Sequence, residues 1–139
     1  MNAALYDIIH SLALDITNAS ATENDQAGLD AYDTLKKLCH DQEGSDLDHP
    51  LQWEALGDFS EDHLEANEAY QKGLNCAIKL ALPEYCASLK LAMAERFFEQ
   101  QMLPEAQRLA LEASSDAENI DDDILKQAIK ALLNDIDHH

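Results

Sequence analysis

The chain has 139 residues, 28 acidic and 9 basic, for a formal net charge of −19, and 46% of it is apolar while only 6% is aromatic. That length gives room for one hydrophobic core, and the charge excludes direct binding to a nucleic-acid backbone or an anionic membrane, both of which need positive charge. The acidity is distributed: −8 over residues 1–50, −5 over 51–100 and −6 over 101–139. Alanine and leucine carry most of the apolar content and valine is absent, so the residues that strands prefer are few. With 4 glycines and 3 prolines there is little turn chemistry for many short strands. Composition therefore points to helix.

Leu5, Ile8, Ile9, Leu12, Ile16 and Ala19 recur at intervals of three and four, which predicts a first helix over about 3–19. The opening residues, Met1-Asn2-Ala3-Ala4-Leu5-Tyr6-Asp7, lack a basic leader, so no targeting segment is expected. A polar stretch over 18–25 precedes a second helix, about Gln26 to His40, with Ala27, Ala31, Leu35 and Leu38 inward. Gly44 and small polar residues then make a loop over 42–48. Pro50 suits the first turn of a short third helix carrying Leu51, Trp53, Leu56 and Phe59. Ser60 is expected to cap a fourth helix, with Glu61 and Asp62 at its positive end and Leu64, Asn67, Tyr70, Leu74, Ile78 and Leu82 along its face. One kinked helix over 50–82 also fits.

Pro83-Glu84 opens a fifth helix to about Gln101, with Leu89, Met93, Ala94 and Phe97 inward. Pro104-Glu105 opens a sixth to Ala113, which Ser114-Ser115 is expected to end. Asp121-Asp122-Asp123 starts a seventh through about 137, with Ile124, Leu125, Ala128, Leu132 and Ile136 as its stripe. Short loops between successive helices imply antiparallel neighbours. No run approaches the length and apolarity of a membrane span. Cys39, Cys76 and Cys86 are odd in number and lack Cys-x-x-Cys spacing, which fits free thiols in a reducing cytoplasm.

Ala31-Tyr32 and Ala69-Tyr70 lie 38 residues apart in the second helices of successive pairs. A third pair reads Met93-Ala94-x2-Phe97 and then Ala106-x3-Ala110-x2-Ala113. Trp53-x2-Leu56-Gly57 and Ala66-x3-Tyr70-x2-Gly73 add two further half-patterns, offset by about three residues from one 34-residue frame. On these residues the chain resembles the tetratricopeptide-repeat family, well over 87–120, partly over 50–83 and faintly over 1–42. The resemblance implies an all-α, right-handed stack of antiparallel helix hairpins in a single domain, 1–139. Its pairs would be about 3–40, 50–82 and 84–113, closed by a capping helix over about 121–137. An ordinary helical bundle is the alternative.

Such proteins hold an extended peptide or a partner helix on the concave face of each first helix. Carried onto this chain, that face would show Ser88, Leu91, Glu95, Phe98 and Glu99, with Glu54 and Asp58 added by the frame at 50–57. Members that grip a carboxylate use cationic and amide side chains there, and this chain departs from that pattern. An acidic groove with two apolar anchors suits a basic or amphipathic segment of another protein. The expected function is thus a non-enzymatic adaptor or chaperone-like module. The alternatives are an acidic decoy competing with nucleic acid for a basic protein, and a self-associating structural protein, a homodimer burying Leu12 or Leu14.

Other candidates for chemistry fail on spacing. Asp7-x2-His10 and Asp46-x2-His49 have a carboxylate–histidine interval, but a dimetal bundle needs two inward Glu-x2-His motifs and two more glutamates. Cys39 and His40 are adjacent and diverge on a helix. The acidic loop 41–48 misplaces its glycine for calcium. His138-His139 carry no functional signal, and no nucleophile elbow, phosphate loop or dinucleotide fingerprint is present. Neither catalysis nor a cofactor is expected.

Overall fold

In the computed structural model, which describes residues 3–139, every regular element is a helix. The order is α1 (Ala3–Ala21), α2 (Asp25–Gln42), α3 (Pro50–Phe59), α4 (His63–Lys79), α5 (Pro83–Glu99), α6 (Leu103–Ala117) and α7 (Asp123–Asp137). The fold is all-α, with successive helices packed antiparallel. The chain divides into two compact units, Met1–Ala69 and Tyr70–His139, with the boundary inside α4. Met1 and Asn2, on which part of the leader reading rests, lie outside the described residues. No described helix is long and apolar enough to cross a membrane.

In the first unit α1 packs on α2, and both meet α3. Leu35, Cys39, Trp53, Leu56 and Ala69 form its buried centre, with Leu12, Ile16, Tyr32, Leu38, Ala55 and Phe59 packed around it. Trp53 is 1% exposed and is among the largest wholly buried side chains. The start of α4 is tied to α2 by polar contacts. Glu65 Oε1 accepts from Lys36 Nζ at 2.8 Å and from Tyr32 Oη at 3.0 Å. The Lys36 ammonium, then the Tyr32 hydroxyl, hold the Glu65 carboxyl below its ordinary range.

Residues 50–82 are not one kinked helix: the helical backbone is interrupted at 60–62. Ser60 closes α3, its N–H bonding Gly57 O, and its hydroxyl donates to Asp62 O at 3.1 Å. Asp62 takes the capping role expected of Ser60: its Oδ1 accepts from Leu64 N at 3.1 Å and its carbonyl from Ala66 N at 2.9 Å. A carboxylate at that helix end also meets the positive pole of the backbone dipoles.

In the second unit α5 and α6 form the most extensive hairpin, and α7 packs on both. Small residues make this possible: Ala87, Ala94, Ala106, Ala110 and Ala113 are all 0% exposed, so the two backbones approach closely. Leu89, Met93 and Leu109 fill the spaces, and Ile129, Leu132 and Ile136 bring α7 onto them. Contrary to expectation, α6 runs through Ser114-Ser115 to Ala117. The serines sit on its exposed side, where they need not interrupt the backbone bonds.

Three turns share one construction. After α1, α4 and α5 the chain places Glu23, Ala81 and Gln101 at φ 57°, 55° and 63°. The next N–H then reaches back to a carbonyl five residues earlier: Asn24 to Ala19 at 2.8 Å, Leu82 to Ala77 at 2.9 Å and Met102 to Phe97 at 2.9 Å. This Schellman motif usually carries glycine at its left-handed residue, and here none of the three does. Because of it α4 and α5 end at Lys79 and Glu99, short of the expected Leu82 and Gln101.

Candidate partner-binding site

The residues expected to bind a partner fall on two helices, one in each unit. Ser88, Leu91, Glu95, Phe98 and Glu99 lie on α5 at intervals of three and four, hence on one stripe. Glu54 and Asp58 lie one turn apart on α3. Glu95, Glu99 and Asp58 are exposed; Ser88, Phe98 and Glu54 are half-buried. Leu91 is 7% exposed and is enclosed by the protein, which leaves Phe98 as the accessible apolar group of the α5 stripe. The Phe98 and His139 rings meet at a steep angle with centroids 5.3 Å apart, and His139 Nε2 lies 2.6 Å from Gln101 Oε1. The residues beyond α7 therefore rest beside this stripe.

Charge in the second unit is arranged around α5. Lys90 Nζ lies 2.7 Å from Asp116 Oδ2 and 3.9 Å from Glu112 Oε1, while Arg108 pairs with Glu112 at 2.8 Å. These cations serve the α5–α6 packing and the neighbouring α6 surface.

The other candidates are occupied in structural roles. His10 stacks on Tyr6 at 6.2 Å, and His49 Nδ1 accepts from Leu51 N at 3.2 Å as the cap of α3. Asp48 Oδ1 accepts from Trp53 Nε1 at 2.7 Å and Gln52 Nε2 at 3.0 Å, and its Oδ2 from Gly44 N at 2.9 Å. The loop carboxylate nearest to a calcium pattern is thus a knot that closes the loop. Asp122 caps α7 by accepting from Leu125 N at 3.0 Å. Among the described residues no group of three or more His, Cys, Asp or Glu side chains is placed to hold a metal ion. All three cysteines are outside disulfides. Burial first, then the Asp116 carboxylate, pushes the Cys86 thiol up, the wrong direction for a nucleophile.

Two grooves lie within single hairpins, and neither was expected from the sequence. One, of about 510 Å³, runs between α1 and α2 and is lined by polar groups including Asp15, Thr22, Asp30 and Thr34. The other, of about 560 Å³, runs between α6 and α7 beside Lys126 and Lys130. Each depends on two helices meeting, which no single-helix periodicity reveals. No family model, curated protein or solved structure matches this chain. Its helices alone give the class, an all-α protein of sequential helix hairpins.

Proposed function

We propose that this chain is a non-enzymatic protein-interaction module, adaptor or chaperone-like, of tetratricopeptide-like build, which holds a basic or amphipathic segment of a partner protein. The observation that carries the proposal is the α5 stripe, where Glu95 and Glu99 stand exposed one turn apart with half-buried Phe98 on the adjoining side of the helix. Two carboxylates on the same stretch of helix as an aromatic side chain favour a cation next to an apolar group. Glu54 and Asp58 give α3 a similar acidic turn. The surplus of acid over base speaks against a nucleic-acid ligand, and three cysteines outside disulfides suit a reducing cytoplasm.

The test is a pull-down from native lysate at low salt, with the wild type and Glu95→Lys/Glu99→Lys as parallel baits of matched far-UV circular dichroism. A partner retained by the wild type and released by the reversed bait supports the α5 stripe. Equal retention by both baits rejects it.

Self-association is a second reading, favoured by the N-terminal hairpin. Ile8 and Leu14 on α1 are 48% and 49% exposed, and Leu29 on α2 is 57% exposed. A monomeric mass by light scattering at high concentration would remove it.

A further inference from the structure

The α6–α7 groove differs from the α5 stripe in the sign of its charge. Leu111 and Ser115 line it from α6, and Lys126, Ile129, Lys130 and Leu133 line it from α7. The intervals are three and four on both helices, so two parallel stripes face one trough. Ile129, 1% exposed, forms part of the floor; Leu111, 54% exposed, stands on the rim. This is the shape that receives the apolar face of a third helix.

The lysines decide which helix. In a chain with 28 acids and 9 bases, a surface lysine has many carboxylates to choose from. Lys36, Lys90 and Arg108 take one, whereas among the described residues Lys37 and Lys79, which line neither groove, do not. Lys126 and Lys130, one turn apart, form no ion pair among the described residues, although Glu118 lines the same groove. Their ammonium groups stand beside an apolar trough with carboxylate-binding capacity unused. Repulsion from the remaining negative surface is screened beyond roughly 10 Å at ordinary ionic strength, so local charge governs docking. Two lysines are far too few to hold a phosphate backbone against a net charge of −19.

We propose that the α6–α7 groove docks an amphipathic helical segment of a partner protein whose apolar stripe is flanked by carboxylates one turn apart. The Leu and Ile side chains of the groove take the stripe, and Lys126 and Lys130 pair with the carboxylates. This surface is separate from the α5 stripe and takes the opposite charge, so it stands whether or not the basic-segment reading holds.

The test uses the full chain, isotopically labelled, and three synthetic probes of about 15 residues. The first is a helical peptide with Leu at every third and fourth position and Glu pairs alongside; the second carries Lys for Glu; the third is a scramble of the first. Chemical-shift mapping and fluorescence anisotropy are followed for the wild type, Lys126→Glu/Lys130→Glu and Glu95→Lys/Glu99→Lys. The expected result is saturable binding of the acidic helix with shifts at Leu111, Ser115, Ile129 and Leu133, which neither the basic helix nor the scramble produces at those residues. Reversal at 126 and 130 should weaken it by about tenfold or more, and reversal at 95 and 99 should leave the mapped site unchanged. No saturable binding, equal binding of the scramble, or equal affinity for Lys126→Glu/Lys130→Glu would overturn the proposal. So would a concentration-dependent dimer with the same groove shifts, since the occupant would then be a second copy.

Discussion

Trp53 and Asp48 are joined by a hydrogen bond of 2.7 Å from indole Nε1 to carboxylate Oδ1, and this contact fastens the α2–α3 loop to the core. The ring is buried, with the His40 ring perpendicular to it at a centroid distance of 5.9 Å. The carboxylate also receives Gln52 Nε2 and Gly44 N, so one side chain holds the loop, the helix start and the tryptophan.

Asp48→Ala should accordingly be among the costlier substitutions outside the apolar core. It strands the Trp53 and Gln52 donors, both in residues 1% exposed or less, and a buried donor left unpaired costs about 1–3 kcal/mol. Urea unfolding followed by circular dichroism should show a loss of about 2–4 kcal/mol for Asp48→Ala. It should show a smaller further loss when Trp53→Phe is added, because one stranded donor is then gone. Strict additivity of the two substitutions would mean that the bond carries no net energy.

His49 makes stability depend on pH in a particular direction. Its Nδ1 caps α3 by accepting from Leu51 N, which a protonated ring cannot do. Burial lowers its pKa from the ordinary 6.5, against a smaller opposing pull from Asp48. The unfolded chain thus binds the proton more readily, and stability falls as pH drops below 6.5 toward the lower folded value. His49→Asn keeps a capping side chain without a titrating group. Urea midpoints at about pH 7.5 and about pH 5.5 should separate more for the wild type than for His49→Asn. Equal separations would place the pH dependence elsewhere.

Helix number and helix type were legible from periodicity, as were Pro50, Pro83 and Pro104 as first-turn residues. The side that each helix buries was less so. Ile8, Leu64, Ile78 and Ile124, assigned inward, are 48%, 69%, 63% and 84% exposed, and Ala27 is exposed as well. Cys39 and Ile129, left off the expected stripes, are 0% and 1% exposed. A periodic stripe fixes a face only to within one residue, and the neighbour decides which edge of it is covered. Ser60 is the cap that the sequence suggests, with Asp62 only as helix-end charge, and the backbone direction at α4 gives the capping role to Asp62 instead. The α5 stripe came from a family frame, while the α6–α7 groove needed two helices in place.

The non-glycine Schellman turns end α4 and α5 before their apolar periodicity does, and they offer a test. Ala81 is exposed at φ 55°, where a Cβ costs roughly 1–2 kcal/mol and glycine does not. Part of that gain is lost to the freer unfolded chain. Ala81→Gly should therefore raise stability by about 0.5–1 kcal/mol, read as a higher urea midpoint at unchanged slope. A lower midpoint would show that the methyl group makes a contact worth more than the backbone cost.

The Lys90–Asp116 pair sits where charge is partly shielded, with side chains 16% and 30% exposed, and Asp116 Oδ2 is buried without a well-aligned donor. Removing only the lysine leaves that carboxylate between α5 and α6. Lys90→Met should cost about 1–3 kcal/mol. Lys90→Met/Asp116→Leu should recover most of the loss, because a shielded ion pair is often replaceable by apolar groups of similar size. A double variant as unstable as the single one would show that the pair is needed for packing itself.

Gly28 tests whether the α1–α2 contact was built for a glycine. It lies in the first turns of α2, and a Cβ placed there meets the Ala19 Cβ at 3.4 Å, the near edge of ordinary contact. Alanine within a helix is favoured over glycine by about 1 kcal/mol. Since neither methyl group is forced to move far, the helical gain should outweigh the crowding. Gly28→Ala should be stabilising by about 0.5–1 kcal/mol in thermal and urea unfolding. If it destabilises instead, the two helices cannot yield at Ala19, and the hairpin depends on the missing side chain for its spacing.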